Sequence, residues 1–353
     1  MIKIGKNIIN SNSQVYFIAD IAANHDGSLK RAKKLIKLCA IAGANAAKFQ
    51  HFKADTIVNS YQFDKMKKSS HQKNWKKSVY QVYRDASINN RWNEELKNEC
   101  NKYGIDFLTS PYDIDYVDEV DNYIPAFKIG SGDITWKEII IKIAKKNKPV
   151  ILATGASEME EVKKAVKLIR KYNNKLALLQ CNTNYENLET NLNHLNLNVI
   201  NTYKNYFGNN IILGLSDHTK GHLSVLGAVS LGAKIIEKHF TDNNNRMGPD
   251  HKFSMNPKTW SKMVSETRLL EKTLGNGKKK IEKNETKSVI VQRRSVYAKV
   301  NLKKNQIIKE ENLISLRPCP KKSFSPWEIN KIVGRKTKKN IKKGELIKKN
   351  WIV

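Results

Sequence analysis

The chain has 353 residues, a formal net charge of +31 at pH 7 and a hydrophobic content of 40%. Its regular apolar runs exclude a disordered chain, and no run approaches the roughly 18 residues of a membrane span. The N-terminal segment also lacks the apolar core of a signal peptide, so we expect a cytoplasmic protein with no membrane partner. The four cysteines contain no CxxC pair, which argues against a disulfide framework and a thiolate zinc site.

The positive charge has two interpretations. It can mark a protein that binds nucleic acid or another anionic surface. Here the excess is mostly lysine, spread along the chain together with many isoleucines and asparagines. A nucleic-acid surface more often clusters arginines with aromatic residues on one element. We therefore favour solvated lysine-rich faces over a nucleic-acid partner, with a basic background that attracts anionic metabolites.

Short apolar runs alternate with amphipathic stretches from residue 16 to residue 239. Each apolar run predicts a buried strand, and helical spacing follows most of them. The predicted strands are 16–21, 46–50, 106–109, 126–129, 149–153, 176–181, 211–215 and 234–239. The predicted helices are 29–42 after the N-cap candidate Ser28, 89–103, one ending near Val120, 136–147, 158–172, one reaching Tyr206, and 222–231.

Eight strands that alternate with helices predict a parallel sheet covered on its outer face. Eight such units in about 240 residues fit a (β/α)₈ TIM barrel. A doubly wound open sheet is the alternative, but the GxGxxG phosphate fingerprint is missing after the first strand. We therefore predict an α/β fold built on the barrel.

Polar residues gather where the predicted strands end. Active sites of such barrels lie at the C-terminal ends of the strands. The polar residues at these ends are Asp20, Asn24 and His25; Lys48 and Gln50; Ser110; Lys128, Ser131 and Asp133; Thr154; Tyr185; Ser216, Asp217 and His218; and Glu237 and His239. This face is therefore the predicted site.

Two lysines interrupt otherwise apolar strands. Lys48 and Lys128 lie inside predicted buried runs, where a lysine without a partner is costly. One such lysine is explained by a side chain that reaches the surface. Two of them, beside hydroxyl groups and the glycine-rich turn 130–132, favour a phosphate or carboxylate ligand.

Two histidines lie one βα unit apart. His218 and His239 follow neighbouring predicted strands, so their imidazoles can share one metal ion with water or substrate oxygens. Two unrelated histidines near loop starts are the alternative. Their position facing the two lysines favours the metal site.

A second unit is predicted near the C-terminus. We assign a barrel domain to residues 1–277, a lysine-rich linker to 278–287 and a small, mostly β domain to 288–353. Strand-like pieces with turn signals fall at 295–300, 302–308, 312–316 and 341–347. The loop 316–320 presents Arg317, a residue suited to an anionic or carbonyl-bearing ligand.

With these residues in view, the chain resembles the sialic acid synthase family, which makes nine-carbon nonulosonic acids from phosphoenolpyruvate. The resemblance covers nearly the whole chain, and its C-terminal unit is similar to the family's SAF (antifreeze-like) domain. The matching segments are 18–27 (IADIAANHDG), 47–50 (AKFQ), 128–132 (KIGSG), 153–155 (ATG), 214–218 (GLSDH), 237–242 (EKHFTD), 248–250 (GPD) and 317–318 (RP).

The resemblance implies the condensation of phosphoenolpyruvate with an open-chain N-acylhexosamine similar to N-acetylmannosamine, with release of phosphate by C–O cleavage. It implies a divalent metal ion, Mn²⁺ or Mg²⁺, on His218 and His239. It assigns Lys48, Ser110, Lys128, Ser131, Thr154 and Ser216 to phosphoenolpyruvate, and Asp20, Gln50, Asp133, Tyr185 and Asp217 to catalysis. The sugar contacts are Gln50, Asp133, Tyr185, Asp250 and Arg317, with Arg317 reaching the partner's site in a domain-swapped homodimer.

Some positions depart from the family pattern. Asp20 and Asp133 stand where the family usually has Glu, so each carboxylate is one methylene shorter and proton-transfer distances change. Ala153 replaces a serine, and Thr183 falls on a family asparagine. The segment 51–87 is an insertion on the catalytic face. We interpret these differences as signs of an unusual sugar substrate.

Two other functions compete with this one. A second kind of barrel enzyme, the 3-deoxy-ulosonate synthases, also condenses phosphoenolpyruvate with an aldose, but it has no need of Arg317. A non-catalytic basic binding protein is the other alternative, and for it the polar strand ends are dispensable.

Overall fold

The computed structural model describes residues 1–66, 72, 75–185 and 190–353. Within them, eight parallel strands close into a barrel in the order β10-β3-β4-β5-β6-β7-β8-β9. An antiparallel hairpin of β1 (Ile2–Ile4) and β2 (Asn7–Ile9) precedes the barrel. The barrel strands are β3 (Tyr16–Asp20), β4 (Ala46–His51), β5 (Asp106–Pro111), β6 (Phe127–Ile129), β7 (Val150–Ala153), β8 (Leu176–Cys181), β9 (Ile212–Asp217) and β10 (Ile235–His239). The predicted (β/α)₈ barrel is confirmed.

Most helices cover the outside of the barrel, while the three in the insertion 51–87 contact one another. Together they are α1 (Leu29–Ile41), α2 (Ala54–Ile57), α3 (Ser60–Lys65), α4 (Val79–Ala86), α5 (Asn93–Lys102), α6 (Ile114–Asp121), α7 (Lys137–Lys145), α8 (Met159–Arg170), α9 (Val199–Phe207), α10 (Leu223–Ser230) and α11 (Pro257–Leu274). Ser28 caps α1 as predicted, because its side chain accepts a hydrogen bond from the backbone N–H of Arg31. The insertion 51–87 contains α2, α3 and α4, while its residues 67–71 and 73–74 lie outside the described residues.

The strands alternate between two faces, and this alternation positions the site. Odd and even residues of a strand point to opposite sides of a sheet. In β3, Phe17 and Ala19 belong to the core between strands and helices, whereas Tyr16 and Ile18 belong to the core inside the barrel. The same rule extended along each strand sends the next inward residue, such as Asp20, to the C-terminal mouth.

The hairpin contributes to the inner core. Ile2, Ile4 and Ile9 are buried in the same cluster as Ile18 and Leu108, which line the barrel interior. The N-terminal half of the interior is therefore apolar and filled. Since this half is closed by packing, the opposite end is left for polar groups.

A second compact unit spans Asn276–Val353, after the first at Met1–Gly275. It contains α12 (Thr286–Gln292) and an antiparallel pair of β11 (Ser295–Ala298) with β12 (Leu313–Leu316) around its own apolar core. The predicted strand pieces 302–308 and 341–347 form isolated bridges instead, including Leu302 with Ile341. The predicted division into a barrel domain at 1–277, a linker at 278–287 and a small domain at 288–353 stays a prediction.

No helix in the described part of the chain is both long and apolar enough to cross a membrane.

Candidate active site

The inward-facing polar residues meet at the C-terminal mouth of the barrel. Two ion pairs dominate this layer. Lys48 on β4 lies 2.8 Å from Asp20 on β3, and Lys128 on β6 lies 3.3 Å from Glu237 on β10. Because β6 and β10 are not neighbours in the barrel, the second pair spans its interior.

The first ion pair carries further polar contacts. Gln50 donates a hydrogen bond of 3.1 Å to Asp20, and His239 Nε2 lies 3.6 Å from the same carboxylate. Burial raises the pKa of Asp20, but the charge of Lys48 outweighs burial and holds the pKa below its usual value. Burial lowers the pKa of Lys48, yet Asp20 and Glu237 reverse that effect and raise it. Both groups are therefore charged at neutral pH.

Both lysines have a protein partner, which strand periodicity did not predict. Each is paired with a buried carboxylate, so an anionic ligand is not needed to balance it. The carboxylates come from strands distant in sequence, and one of them, Glu237, was not assigned a role. An anion at the mouth must therefore share the lysines with Asp20 and Glu237.

Three buried polar atoms at the mouth have no hydrogen-bond partner in the described structure. They are Ser110 Oγ, Glu237 Oε2 and His239 Nδ1. Buried polar groups are almost always satisfied, so a cluster of unsatisfied atoms indicates a place for a ligand or water. Ser216 Oγ, which donates to Glu237 Oε1 over 3.2 Å, lies in the same layer. The structure thus brings Ser110 and Ser216 to the mouth, as predicted from the sequence.

The two histidines are adjacent, as their spacing predicted. The rings of His218 and His239 are 5.4 Å apart between centroids. Burial lowers the pKa of His239 to about 3, which leaves a neutral imidazole, the form that binds metals. His218 Nδ1 lies 3.0 Å from the carbonyl oxygen of Asn182, an outer contact of the kind that orients a ligating imidazole.

These features fit one divalent cation held by two imidazoles, with its other positions open to oxygen ligands. The described residues contain no group of three or more histidine, cysteine or acidic side chains placed to hold a metal. The protein contribution is therefore limited to the two histidines. Any metal there depends on water or substrate to complete its coordination.

An aromatic wall covers the histidines. The ring of Tyr185 lies 4.5 Å from that of His218, and the ring of Phe253 lies 4.9 Å from that of His239. Phe253 and Asp250 belong to the loop after β10, where the backbone N–H of Ala23 donates to Asp250 over 3.1 Å. The residues 186–189 that follow Tyr185 lie outside the described part.

Asp133 and Ser131 follow β6 on the Gly-rich turn. Burial raises the pKa of Asp133 to about 6, and the charge of Lys128 only partly opposes this. The hydroxyl of Ser131 accepts a hydrogen bond of 2.9 Å from the N–H of Gly155, which ties this turn to the end of β7. Asp133 is thus a carboxyl group suited to exchange a proton near neutral pH.

Two predicted site residues face away from the mouth. Asp217 is the outward neighbour of Ser216 and accepts hydrogen bonds from Thr219, Ser224 and Lys238 on the helix side of the barrel. Thr154 donates to the carbonyl oxygen of Leu179 and accepts from Tyr203 on α9. The structure does not bring either residue together with the mouth cluster, so their roles in catalysis and in phosphoenolpyruvate binding gain no support.

Sequence reasoning missed Tyr112, the second residue after the inward-facing Ser110. The largest influences on its pKa are burial, then the charges of Asp133, Asp20, Tyr185 and Glu237, all of which raise it well above the usual value. Its position after the last strand residue, Pro111, and its period-2 spacing from Ser110 were the signals available. Arg317, in the second unit, is exposed.

Comparisons with known proteins show the family of this chain. The NeuB family model matches residues 35–279, and an SAF domain matches residues 293–353. An N,N'-diacetyllegionaminic acid synthase of Campylobacter jejuni is 37% identical over 94% of this chain and 98% of its own. A pseudaminic acid synthase of the same species is 34% identical over 96% and 97%. A solved N-acetylneuraminic acid synthetase of Leptospira borgpetersenii, with citrate, superposes with a TM-score of 0.72 at 29% identity, covering 82% of this chain and 94% of that one.

Proposed function

Because this chain belongs to the NeuB family of sialic acid synthases and is an enzyme of that family, we propose that it condenses phosphoenolpyruvate with an open-chain N-acylhexosamine. The products are a nine-carbon nonulosonic acid and phosphate. The observation that carries the proposal is the mouth itself, where two buried lysines, two adjacent histidines and three unsatisfied polar atoms converge.

The reaction forms one carbon–carbon bond and breaks one C–O bond. C3 of phosphoenolpyruvate attacks the aldehyde carbon of the sugar, which leaves an oxocarbenium centre at C2 and a negative aldehyde oxygen. Water adds at C2 with loss of one proton, and a proton reaches the former aldehyde oxygen. The new C2 hydroxyl then loses its proton and becomes the ketone as the C2–O bond to phosphate breaks. A base must take the proton from water, and an acid must supply the one on the new hydroxyl.

The residues divide these tasks. Lys48 and Lys128, with Ser110, Ser131 and Ser216, hold the phosphate and carboxylate of phosphoenolpyruvate by charge-assisted hydrogen bonds. When the anion binds, each lysine contacts both the anion and its own carboxylate. In the free enzyme, that carboxylate lowers the cost of keeping the lysine buried. The unsatisfied hydroxyl of Ser110 gains a partner in this step.

Proton transfer falls to the carboxyl groups. Asp133, with a pKa of about 6, can be protonated or ionised near neutral pH. Asp20, held ionised by Lys48, is suited to orient water through its contact with Gln50. Tyr185, whose ring lies against that of His218, and Asp250 would contact the sugar.

A divalent cation, Mn²⁺ or Mg²⁺, would be held by His218 and His239. When bound, it supplies Lewis acidity that polarises the aldehyde oxygen and a template for water. The neutral imidazole of His239 and the contact of His218 with Asn182 support this placement.

Phosphate release from phosphoenolpyruvate tests the proposal. The acceptor panel contains N-acetylmannosamine, its 6-phosphate, a diacetamido-trideoxyhexose and arabinose 5-phosphate, each assayed with Mn²⁺ or Mg²⁺. We expect release with an N-acylated acceptor and a product of matching mass, and loss of both in His239→Ala. His222→Ala is the matched control, because this half-buried histidine pairs with Glu266 away from the mouth.

The outcomes separate the alternatives. Turnover of arabinose 5-phosphate alone would favour a 3-deoxy-ulosonate synthase. Failure with every acceptor would remove the proposed condensation, and salt-sensitive nucleic-acid binding would then favour a basic binding protein.

Arg317 completes the acceptor site of a partner subunit in this proposal. The support is the family resemblance of the 317–318 segment and the match to an SAF domain. We expect a homodimer in light scattering. Mixing inactive Arg317→Ala and His239→Ala subunits should then restore roughly a quarter of wild-type activity, since half of the dimers are mixed and each has one intact site. No recovery after verified exchange would contradict a role for Arg317 in the partner's site.

A further inference from the structure

Tyr112 is held in the barrel mouth by its backbone and by its ring. Its N–H donates to the carbonyl oxygen of His51 at the end of β4 over 2.8 Å. Its ring lies 6.4 Å from the buried ring of Phe52, between centroids. These contacts place the side chain between the ends of β4, β5 and β6.

The end of β6 leaves room for this phenol. A Cβ atom at position 130 would lie 2.6 Å from Tyr112 Oη and 2.9 Å from Cε1, closer than real Cβ contacts allow. Gly130 therefore permits the close approach, and no larger residue fits there without moving the ring. The tyrosine hydroxyl is thus positioned directly over the Gly-rich turn that carries Asp133.

The hydroxyl makes no hydrogen bond to any residue that the structure describes. Two other tyrosine hydroxyls in the barrel are bonded, that of Tyr16 to Asp106 over 2.7 Å and that of Tyr203 to Thr154 over 2.9 Å. A polar group at the mouth that lacks a protein partner is available to a ligand or water.

The charges around the hydroxyl select the kind of ligand. Burial and the acidic groups Asp133, Asp20 and Glu237 raise the pKa of Tyr112, so the phenol stays a neutral donor at physiological pH. The anionic groups of phosphoenolpyruvate are assigned to Lys48 and Lys128, and a second anion beside these carboxylates is disfavoured. A neutral hydroxyl group satisfies both neighbours, because its oxygen accepts from the phenol while its hydrogen is donated to a carboxylate.

We propose that Tyr112 determines acceptor specificity by donating a hydrogen bond to one sugar hydroxyl, whose own hydrogen is accepted by Asp133. Asp133 lies near enough for its charge to act on the phenol, yet no direct hydrogen bond joins the two side chains. In the proposal, that sugar hydroxyl bridges the two side chains. This inference rests on the proposed condensation and names a residue that selects its acceptor.

The test compares wild type with Tyr112→Phe on the best acceptor of the panel and on its single-deoxy analogues. We expect Tyr112→Phe to raise the acceptor KM about tenfold, or about 1.4 kcal/mol, with the phosphoenolpyruvate KM unchanged. Wild type should lose at least that factor with one deoxy analogue, which removes the hydrogen bonds to both Tyr112 and Asp133. Tyr112→Phe should lose less than wild type on that same deletion, because its bond from position 112 is already absent.

Tyr16→Phe is the matched control, since it removes a bonded tyrosine hydroxyl from the closed end of the barrel. It should lower the melting temperature and leave both KM values unchanged. A Tyr112→Phe enzyme with wild-type KM for the acceptor, or with a changed KM for phosphoenolpyruvate alone, would overturn the assignment while the condensation stands. Wild type without condensation activity would overturn both.

Gly130→Ala provides a second variant that retains the hydroxyl. The added Cβ displaces the phenol, so we expect the same rise in acceptor KM. Combined with Tyr112→Phe, it should add little further effect. A full additional tenfold rise in the double variant would show that the two positions act separately and would contradict the proposal.

Discussion

Two buried lysine–aspartate pairs of this barrel differ in what surrounds them. Lys48 and Asp20 face into the mouth with a separation of 2.8 Å. Lys238 and Asp217 face the helices with a separation of 2.5 Å. All four side chains are almost fully buried, so burial alone does not distinguish a site from a scaffold.

Hydrogen-bond saturation distinguishes them. Lys238 also donates to the carbonyl oxygen of Thr219, and Asp217 accepts from Thr219 and Ser224. Lys48 makes one hydrogen bond, to Asp20, and two of its three donors have no partner in the described structure. The outer pair is nearer to saturation, with one Lys238 donor left, whereas the inner pair has more capacity left for a ligand.

The largest expected effect comes from replacing each lysine by methionine. Lys48→Met should reduce kcat/KM at least about a hundredfold, because a charge that stabilises the bound anion is removed. Lys238→Met should cost about 3 to 5 kcal/mol of stability, since Asp217 is left buried without a cation, as Asp20 is in Lys48→Met, but it should leave kcat/KM near the wild-type value. Urea unfolding and steady-state kinetics on both variants measure the contrast.

That contrast disappears if Lys238→Met, assayed well below its melting temperature, loses as much activity as Lys48→Met. In that case the Lys238–Asp217 pair would also contribute to catalysis, which would support the predicted catalytic role of Asp217.

Metal removal should lower activity by its effect at the barrel mouth and should not affect the outer Lys238–Asp217 pair. Dialysis against a chelator should lower condensation at least about a hundredfold, because Lewis acidity at the two histidines is lost. Added Mn²⁺ should restore it in wild type and in Lys238→Met, but not in His218→Ala. Full activity of a preparation with no metal detectable by mass spectrometry would exclude the proposed cation.

Two carboxylates should respond to pH in opposite directions. Burial raises the pKa of Asp133 to about 6, so its contribution to stability is present below about pH 4 and is lost as pH rises through 6. Asp133→Asn should therefore be more stable than wild type at pH 8, by up to about 3 kcal/mol. The difference should vanish near pH 4.

Asp242, outside the mouth, gives the opposite sign. Burial raises its pKa, but Arg31 and Lys34 outweigh burial and lower it to about 2. Its contribution is present above about pH 4 and lost as pH falls through 2. Asp242→Asn should therefore be less stable than wild type at pH 7, with the difference shrinking in acid. Parallel slopes for the two variants in pH-dependent unfolding would contradict these assignments.

The smallest effect is expected at two serines. Ser110 has a buried, unsatisfied hydroxyl, so Ser110→Ala should change stability by less than about 1 kcal/mol while raising the KM of phosphoenolpyruvate. Ser224 donates to Asp217 over 2.5 Å, so Ser224→Ala should cost about 1 to 3 kcal/mol with KM unchanged. Equal stability losses would show that Ser110 has a partner in solution.

Much of the site was predictable from strand periodicity. Each barrel strand was located to within two residues, and the mouth residues Asp20, Lys48, Ser110, Lys128 and Ser216 follow from where those strands end. The spacing of His218 and His239 also predicted that they lie at the ends of adjacent strands, β9 and β10. These features depend on local sequence, because a buried strand and its following turn are encoded within one βα unit.

The direction of individual side chains was the main error. Asp217 and Thr154 were placed with the site because they are polar and near strand ends, yet both point to the helix layer. Strand alternation contained this information, since each is one residue away from an inward position. Polarity and proximity to a strand end are therefore insufficient without the face.

The sequence by itself determined the strand series, the second unit and the polar mouth, because each is set by contacts close along the chain. Only the tertiary structure decided which groups are partners. Lys128 meets Glu237 across the barrel, and Tyr112 lies against Gly130, because closing the barrel brings together residues from strands that are separate in sequence. The pairing of charges, and with it the donors and acceptors left for a ligand, is a property of that closure.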